Sequence, residues 1–372
     1  MRPRFFTERL HHRVTFGAAL LVTLGAVAAS QAHFVVSRRS LRALIAESDL
    51  VVDARVVEVE KLVAIEGADQ WVRRPPSVEV LDVIKGPAAK RDRIAFAQHG
   101  HGTAELELGQ RALVFLRNIA RSRELQPVAV SGKVQWYSAR EHHDDWVLSS
   151  DSRQSILAAA RRYALIEEML PERRDAALRK ITVNLLASPS PRLAKSALRD
   201  LVSLPDAPLV DPGDLPRLRR VIDSAQTPIE TRIGLLAELE RRRLLDGTPH
   251  WLRLLRTTRG LERLAVIPAA GLRPSAQVQE ELRKILFEPD VGAASAAAVA
   301  LGSRGNAAAV APLTKALHSG EVRLALAAIR GLGRIGTPEA RAAIDAAAAA
   351  HPDPAVRRRA QAEARLLEEQ AR

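Results

Sequence analysis

Cysteine is absent from all 372 residues of the chain. Disulfide bonds, thiolate metal sites and cysteine nucleophiles are therefore excluded throughout. Phe, Trp and Tyr together supply only 3% of the residues. This composition suits helices packed through Ala and Leu better than a cofactor pocket walled by aromatic rings.

Sequence motifs for common catalytic sites are also absent. The chain contains no G-x-x-x-x-G-K-[ST] phosphate loop and no G-x-S-x-G nucleophile turn. The segment GLGRIG at 331–336 superficially resembles a nucleotide loop, but it follows a predicted helix rather than a strand. The sequence therefore predicts a protein that is not an enzyme and that binds no cofactor or metal.

The first 32 residues have the pattern of a secretory signal peptide. An uncharged run covers residues 14–29, and Ser30-Gln31-Ala32 then offers small residues for cleavage after Ala32; four arginines precede the run, namely Arg2, Arg4, Arg9 and Arg13. An uncleaved anchor is the alternative, but 16 residues are few for a membrane span. We expect a periplasmic or secreted protein with no transmembrane span in the mature chain.

The net charge of +13 is unevenly distributed along the chain. Residues 33–150 carry 17 basic and 16 acidic side chains, whereas residues 151–372 carry 35 basic and 26 acidic ones. Nucleic acid is a common partner of such basic regions, but an export signal argues against it. An acidic protein surface or an anionic envelope component is the expected partner.

The first half of the chain reads as short, Val-rich strands separated by turn signals. Within the first two strands the alternation of apolar residues changes phase, as a β-bulge would cause. Five such strands in about 90 residues predict a small barrel of the OB type over residues 33–140. The strands are expected at 49–60, 77–86, 93–100, 111–118 and 133–138.

Three segments of this region, AESDLVVDARVVEVE, VEVLDVIKG and LELGQRALVFLR, resemble a known family. They are similar to bacterial relatives of the netrin-like and tissue-inhibitor-of-metalloproteinases modules, which are OB-fold barrels. The matching positions are Ser48, Asp49, Ile84, Lys85, Gly86, Gly109, Arg111, Leu113, Phe115 and Leu116. The chain lacks all the cysteines that form disulfide bonds in the animal proteins, so the resemblance does not imply their inhibitory activity.

From about residue 151 the apolar period becomes helical, and the sequence repeats itself. A shift of 31 residues places Val291 on Val322, Ala294 on Ala325 and Leu301 on Leu332. The pattern at 321–336 resembles HEAT repeats of the phycobilisome-lyase type. We therefore expect a linker at 141–152 and an α-solenoid of HEAT-like helix pairs over 153–372.

The segment DVGAASAAAVALG at 290–302 is predicted to be an inner helix of that stack. Its Ala and Gly side chains bury little area, so the helix needs close neighbours on both sides. Pro268 lies within another predicted inner helix and predicts a kink or break there.

Histidines offer the candidate metal ligands. His99 and His101 form one cluster and His142 and His143 another, but neither has the spacing of a known zinc site, which favours two solvated loops. His33 would become the amino terminus after cleavage, where its amine and imidazole could chelate a metal. The alternative function is therefore a metalloprotease-inhibitor-like or metal-dependent protein that uses His33.

Arg323, Arg330 and Arg334 are spaced i, i+7 and i+11 on the helix face opposite Val322, Ala325, Ile329 and Leu332. Because inner helices of HEAT stacks line a concave surface, these arginines could face a partner; an ordinary solvated helix face is the alternative. The sequence thus predicts a multidomain β plus α protein, an OB-type barrel followed by a solenoid. Its expected function is an exported, non-enzymatic binding or scaffold protein of the cell envelope.

Overall fold

A computed structural model describes residues 39–59, 61–64, 71–97, 106–118, 120, 135–138 and 146–371. The chain divides into two compact units, the first ending at Arg174 and the second beginning at Asp175. Within the described residues, no helix is both long enough and apolar enough to cross a membrane. The predicted signal peptide lies outside these residues.

The first unit is built around a small closed β-barrel. Its strands are β1 (Leu50–Glu58), β4 (Ser77–Lys85), β5 (Arg93–Ala97), β6 (Arg111–Asn118) and β7 (Trp136–Ser138). They pair in the order β1-β4-β5-β7-β6, and β6 pairs again with β1 to close the ring. The β5–β7 pair is parallel and the other four are antiparallel. Outside the ring, β2 (Lys61–Ala64) pairs with β3 (Trp71–Arg74), and β8 (Trp146–Val147) adds to β6.

The predicted bulges are present where β1 pairs with β4. The register between these strands shifts after Val51, Asp53 and Val56, which bends the strand so that it can follow a tight barrel. One face of each strand fills the interior; its buried residues are Leu50, Val52, Ala54, Val56, Val78, Val80, Ile94, Phe96, Ala112, Val114 and Leu116. The predicted small barrel is therefore confirmed.

Two helices pack on the outside of the barrel. Helix α1 (Leu41–Glu47) begins at Ser40, whose side chain accepts a hydrogen bond from the Ala43 amide, and it contacts β6. Helix α2 (Ser150–Glu167) contacts α1 and β4.

Ion pairs hold α2 against β4. The Lys85 ammonium lies 2.7 Å from the Glu167 carboxylate, and the Arg161 guanidinium lies 2.6 Å from that of Asp82. Burial opposes ionisation of Asp82, but the Arg161 hydrogen bond outweighs it and lowers the pKa of this carboxyl. The sequence assigned residues from 153 onward to the solenoid, whereas α2 packs within the barrel unit. The first five residues of the expected linker, 141–145, lie outside the described part of the chain.

The second unit is a stack of helix pairs. Its helices are α3 (Pro171–Leu186, which begins before Asp175), α4 (Pro191–Ser203), α5 (Leu215–Asp223), α6 (Ile229–Arg241), α7 (Thr248–Thr257), α8 (Gly260–Gly271), α9 (Ala276–Leu286), α10 (Val291–Gly302), α11 (Val310–Leu317), α12 (Val322–Ile335), α13 (Pro338–Ala350) and α14 (Pro354–Ala371). Short 3-10 turns at Pro212–Asp214 and Ala307–Ala309 precede α5 and α11.

Alternate helices form two layers. In the first layer α6, α8, α10, α12 and α14 pack successively, while in the second α7 packs on α9 and α11 on α13. Helix α8 continues through Pro268, so the break that was the stronger form of the prediction is absent; the proline lies only three residues before the helix ends.

The small-residue segment at 290–302 is α10, packed between α8 and α12. A Cβ added at Gly331 of α12 would meet the Ala298 carbonyl oxygen at 2.5 Å, and one at Gly271 of α8 would meet the Ala300 Cβ at 2.7 Å. The helices therefore touch through backbone atoms on both sides of α10. The predicted close approach is confirmed, and it leaves no room for a larger side chain.

Replacing Gly331 by Ala is expected to destabilise the second unit by about 1–3 kcal/mol, because the new methyl group collides with backbone. This loss outweighs the gain of about 1 kcal/mol that Ala brings to a helix. Gly333→Ala is the matched control on the same helix, since the atoms nearest to its methyl group belong to the Glu363 side chain and not to backbone. Thermal unfolding checks both variants; equal stability of the two would contradict the close approach.

Candidate functional site

The three predicted arginines lie exposed on α12. Arg323, Arg330 and Arg334 share the outward face of the helix, and Ala325, Ile329 and Leu332 are buried on the opposite side; Val322 differs from the prediction because it is 36% exposed. From Arg323 to Arg334 the helix rises about 16 Å. The arginines therefore form a positively charged edge along α12.

The adjoining face of α10 carries only small side chains. The 31-residue register makes Gly292, Val299 and Ser303 the equivalents of Arg323, Arg330 and Arg334. Gly292 and Val299 of α10 and Ser303, which follows its last residue, are half-buried. Short side chains between two helices with longer ones leave a depression along α10.

Exposed leucines form the other edge of this depression. Leu261 at the start of α8 is 86% exposed, and Leu272 at its end is 53% exposed. In the 31-residue register they are the α8 equivalents of Gly292 and Ser303. We call this surface the small-residue groove: its residues are Leu261 and Leu272 on one side, Gly292, Val299 and Ser303 in the floor, and Arg323, Arg330 and Arg334 on the other side.

Two of the groove arginines have unsatisfied hydrogen-bonding capacity. The Arg334 Nη1 donates to Ser303 Oγ at 3.0 Å, which ties α12 to α10. Within the part of the chain that the structure describes, Arg323 and Arg330 have neither an ion pair nor a hydrogen bond from the guanidinium. Their charges are therefore available to an anionic partner.

The predicted metal candidates cannot be placed. His33, His99, His101, His142 and His143 all lie outside the described residues. Among the residues that are described, no group of three or more His, Asp or Glu side chains could hold a metal ion.

The exposed leucines were not identified in the sequence, although a signal for them existed. The repeat register that located the arginines also aligns Leu261 with Arg323 and Leu272 with Arg334. Apolar residues at positions that are charged in the next repeat indicate an exposed surface of mixed character.

Solved structures, among them designed armadillo repeat proteins, are similar to about half of the chain. No family model and no curated protein matches the chain, but solved structures do. Human deoxyhypusine hydroxylase, solved with glycerol, is 19% identical over 58% of this chain and 80% of its own, with a TM-score of 0.30. A computationally designed armadillo repeat protein for modular peptide recognition is 20% identical over 50% and 98%, with a TM-score of 0.31. A second designed armadillo repeat protein is 18% identical over 54% and 96%, with a TM-score of 0.30.

The prediction that this protein is not an enzyme, drawn from its missing motifs, is contradicted by one of these similarities. Deoxyhypusine hydroxylase, an enzyme, is among the structures with a similar helical repeat. Missing motifs exclude only the reactions that those motifs serve, and a fold by itself does not exclude catalysis.

Proposed function

We propose that the helical unit binds an acidic, partly apolar segment of another protein in the small-residue groove. The observation that carries the proposal is a pair of arginines, Arg323 and Arg330, whose guanidinium groups have no partner among the described residues, beside a floor of half-buried small side chains. A shallow floor lets a partner backbone approach closely, and guanidinium groups bind carboxylates with two parallel hydrogen bonds.

The dimensions of the groove favour an extended segment. Neighbouring helices pack about 8–10 Å apart, so the groove from α8 to α12 is about 16–20 Å wide. The rise of about 16 Å between its outer arginines corresponds to about five residues of extended chain. Acidic side chains would lie toward α12, and apolar ones toward Leu261 and Leu272.

Peptide display on the whole protein tests this function. Random peptides selected for binding are expected to combine two or three Asp or Glu residues with apolar residues within about six positions. The variant with Arg323→Gln, Arg330→Gln and Arg334→Gln should bind the selected peptides about tenfold more weakly at low salt, because each exposed ion pair contributes about 0.5 kcal/mol. Its salt dependence should also weaken.

The matched control removes the same charge elsewhere. Arg219, Arg220 and Arg358 are exposed on α5 and α14, outside the groove, and their replacement by Gln should leave peptide affinity nearly unchanged. Both triple variants should keep the thermal stability of the native protein, since exposed substitutions change it little. If both lose affinity equally, or if selected peptides lack acidic residues, the groove is not the binding site.

We also propose that the barrel is an OB-type module similar to netrin-like and inhibitor-of-metalloproteinase domains. Its ring of five strands, with one parallel pair between β5 and β7, supports this proposal. Export to the envelope or the medium is proposed from the basic and then uncharged segment at 1–32. Amino-terminal sequencing of the mature protein should then begin at His33, and an intact Met1 would contradict cleavage.

A further inference from the structure

A second cleft, of about 480 Å³, lies between two turns of the helical unit. One turn joins α8 to α9, and the other follows α10. Its walls include three arginines, Arg273, Arg283 and Arg304, together with Gln279. None of these residues belongs to the small-residue groove.

Only one of the three guanidinium groups lacks a carboxylate partner within the described residues. Arg273 Nη1 lies 3.1 Å from Glu240, and Arg283 Nη1 lies 3.0 Å from Glu280. Arg304 donates to the Leu272 carbonyl at 2.9 Å and meets no carboxylate there. The cleft therefore offers one uncompensated positive charge, which matches a single negative charge such as a carboxylate.

Helix α9 adds to the positive potential of the cleft. Its first residue, Ala276, lines the wall, and the amino-terminal end of a helix attracts anions. Arg273 is held firmly in the same wall, because its guanidinium also lies over the Trp251 ring at 5.3 Å from the ring centre.

Gln279 supplies a buried acceptor that has no donor. Gln279 is only 6% exposed, and its Nε2 donates to the carbonyls of Gly271 at 3.4 Å and Arg273 at 3.3 Å. These two carbonyls fix the orientation of the amide, since Oε1 could not replace Nε2 there. Oε1 accepts no hydrogen bond within the described residues and has almost no accessible surface, so an N–H or O–H donor from the cleft reaches it only after the Gln279 side chain shifts.

A second depression, of about 410 Å³, adjoins this cleft and shares Arg283 and Ala308 with it. Phe287 and Pro312 form the apolar part of its wall, and Glu280 and Lys284 add one charge of each sign. Phe287 is 49% exposed, and the Lys315 ammonium lies 5.1 Å from the ring centre. A ligand that extends beyond the charged end would therefore meet an apolar surface.

We propose that this cleft binds the carboxyl terminus of an extended peptide. The terminal carboxylate pairs with Arg304, a backbone N–H donates to Gln279 Oε1, and an apolar side chain rests on Phe287 and Pro312. A carboxylate, a neighbouring amide and an apolar group in sequence are what a peptide end presents. This site is separate from the small-residue groove and does not depend on it.

The probe is acetyl-Ala-Ala-Leu with a free carboxylate, compared with the same peptide ending in an amide. Titration into the full protein, followed by calorimetry or NMR, should show saturable binding of the acid and at least tenfold weaker binding of the amide. Arg304→Gln should weaken the acid about tenfold at unchanged thermal stability, and Gln279→Leu should weaken it severalfold. The control Arg220→Gln, exposed on α5, should change nothing.

Three results would overturn the proposal. Equal binding of the acid and the amide would show that the carboxylate is not recognised. Absence of saturable binding would show that the cleft does not bind the peptide. Competition by sodium acetate as strong as that by the peptide reduces the cleft to a general anion site. The Arg323→Gln, Arg330→Gln, Arg334→Gln variant should bind the probe normally, so failure of the groove and failure of the cleft remain distinguishable.

Discussion

Replacing Arg111 by Leu is expected to destabilise the barrel unit by about 3–5 kcal/mol, because it leaves a buried carboxylate without its counter-ion. Asp53 is only 1% exposed. Arg111 binds it with two parallel hydrogen bonds, one from Nε to Oδ1 at 2.7 Å and one from Nη2 to Oδ2. The Asp53 hydrogen bond raises the pKa of Arg111, so the guanidinium stays charged.

The same strand provides the control for this substitution. Arg117 of β6 pairs with Glu47 at a more exposed position, where Glu47 is 38% exposed, and Arg117→Leu is expected to cost less than about 1 kcal/mol. A double variant, Asp53→Leu with Arg111→Leu, should recover most of the lost stability, since no charge is then left buried. Urea unfolding measures all three. Similar small losses for Arg111→Leu and Arg117→Leu would show that Asp53 does not depend on its partner.

This ion pair illustrates how far the sequence predicts the barrel. The strand pattern located all five strands of the ring and the bulges in β1, because alternation is a local property. The family resemblance singled out Arg111, but Asp53 was not recognised as its partner. The pairing of the strands depends on residues far apart in sequence, so no local pattern predicts it. The parallel contact of β5 with β7 is an example.

The helical unit was more predictable where it repeats. A fixed 31-residue period implies that each helix meets the equivalent helix of the next repeat, so the neighbours of α10 followed from the sequence. The sequence placed most of helix α2 in the solenoid, because the apolar stripe of a helix does not reveal what the helix packs against. Its contacts with β4, through Arg161 and Glu167, depend on charges that any solvated helix could carry.

The candidate sites also divide into features that a local pattern predicts and features that depend on contacts between distant residues. The exposed arginines of α12 were predicted from helical spacing alone, since the spacing of residues within one helix determines which of them share a face. The cleft around Arg304 was not predicted, because its walls come from two turns and its character depends on which arginines already have partners. Only the folded chain reveals that Arg273 and Arg283 are paired and that Arg304 meets no carboxylate among the described residues.

Replacing Glu238 by Ala is expected to destabilise the helical unit by about 3 kcal/mol, because it removes the counter-ion of a nearly buried arginine. Glu238 of α6 is 4% exposed. It accepts hydrogen bonds from Arg241 Nη2 at 2.6 Å and from Arg242 Nε at 2.9 Å. The rest of the Arg242 guanidinium holds the end of α4 and the turn after it, through the carbonyls of Leu201, Leu204 and Ala207. Losing Glu238 therefore loosens the link between α4 and α6.

The pH dependence of this loss separates the charge of Glu238 from its packing. Burial alone would raise the pKa of Glu238, but the hydrogen bonds from Arg241 and Arg242 outweigh it and hold this pKa below its usual value. A carboxyl with a lowered folded pKa stabilises the protein above its unfolded pKa, about 4.3, and this contribution disappears as pH falls through the folded value. The stability difference between native protein and Glu238→Ala should therefore be constant near neutral pH and narrow below about pH 4.3.

Glu280→Ala is the control: it breaks an ion pair whose carboxylate is 55% exposed, and it should cost less than about 1 kcal/mol. Urea unfolding from pH 7 down to pH 3 measures both variants, and a Glu238→Ala loss that stays constant over this range would assign the effect to packing rather than to the ion pair.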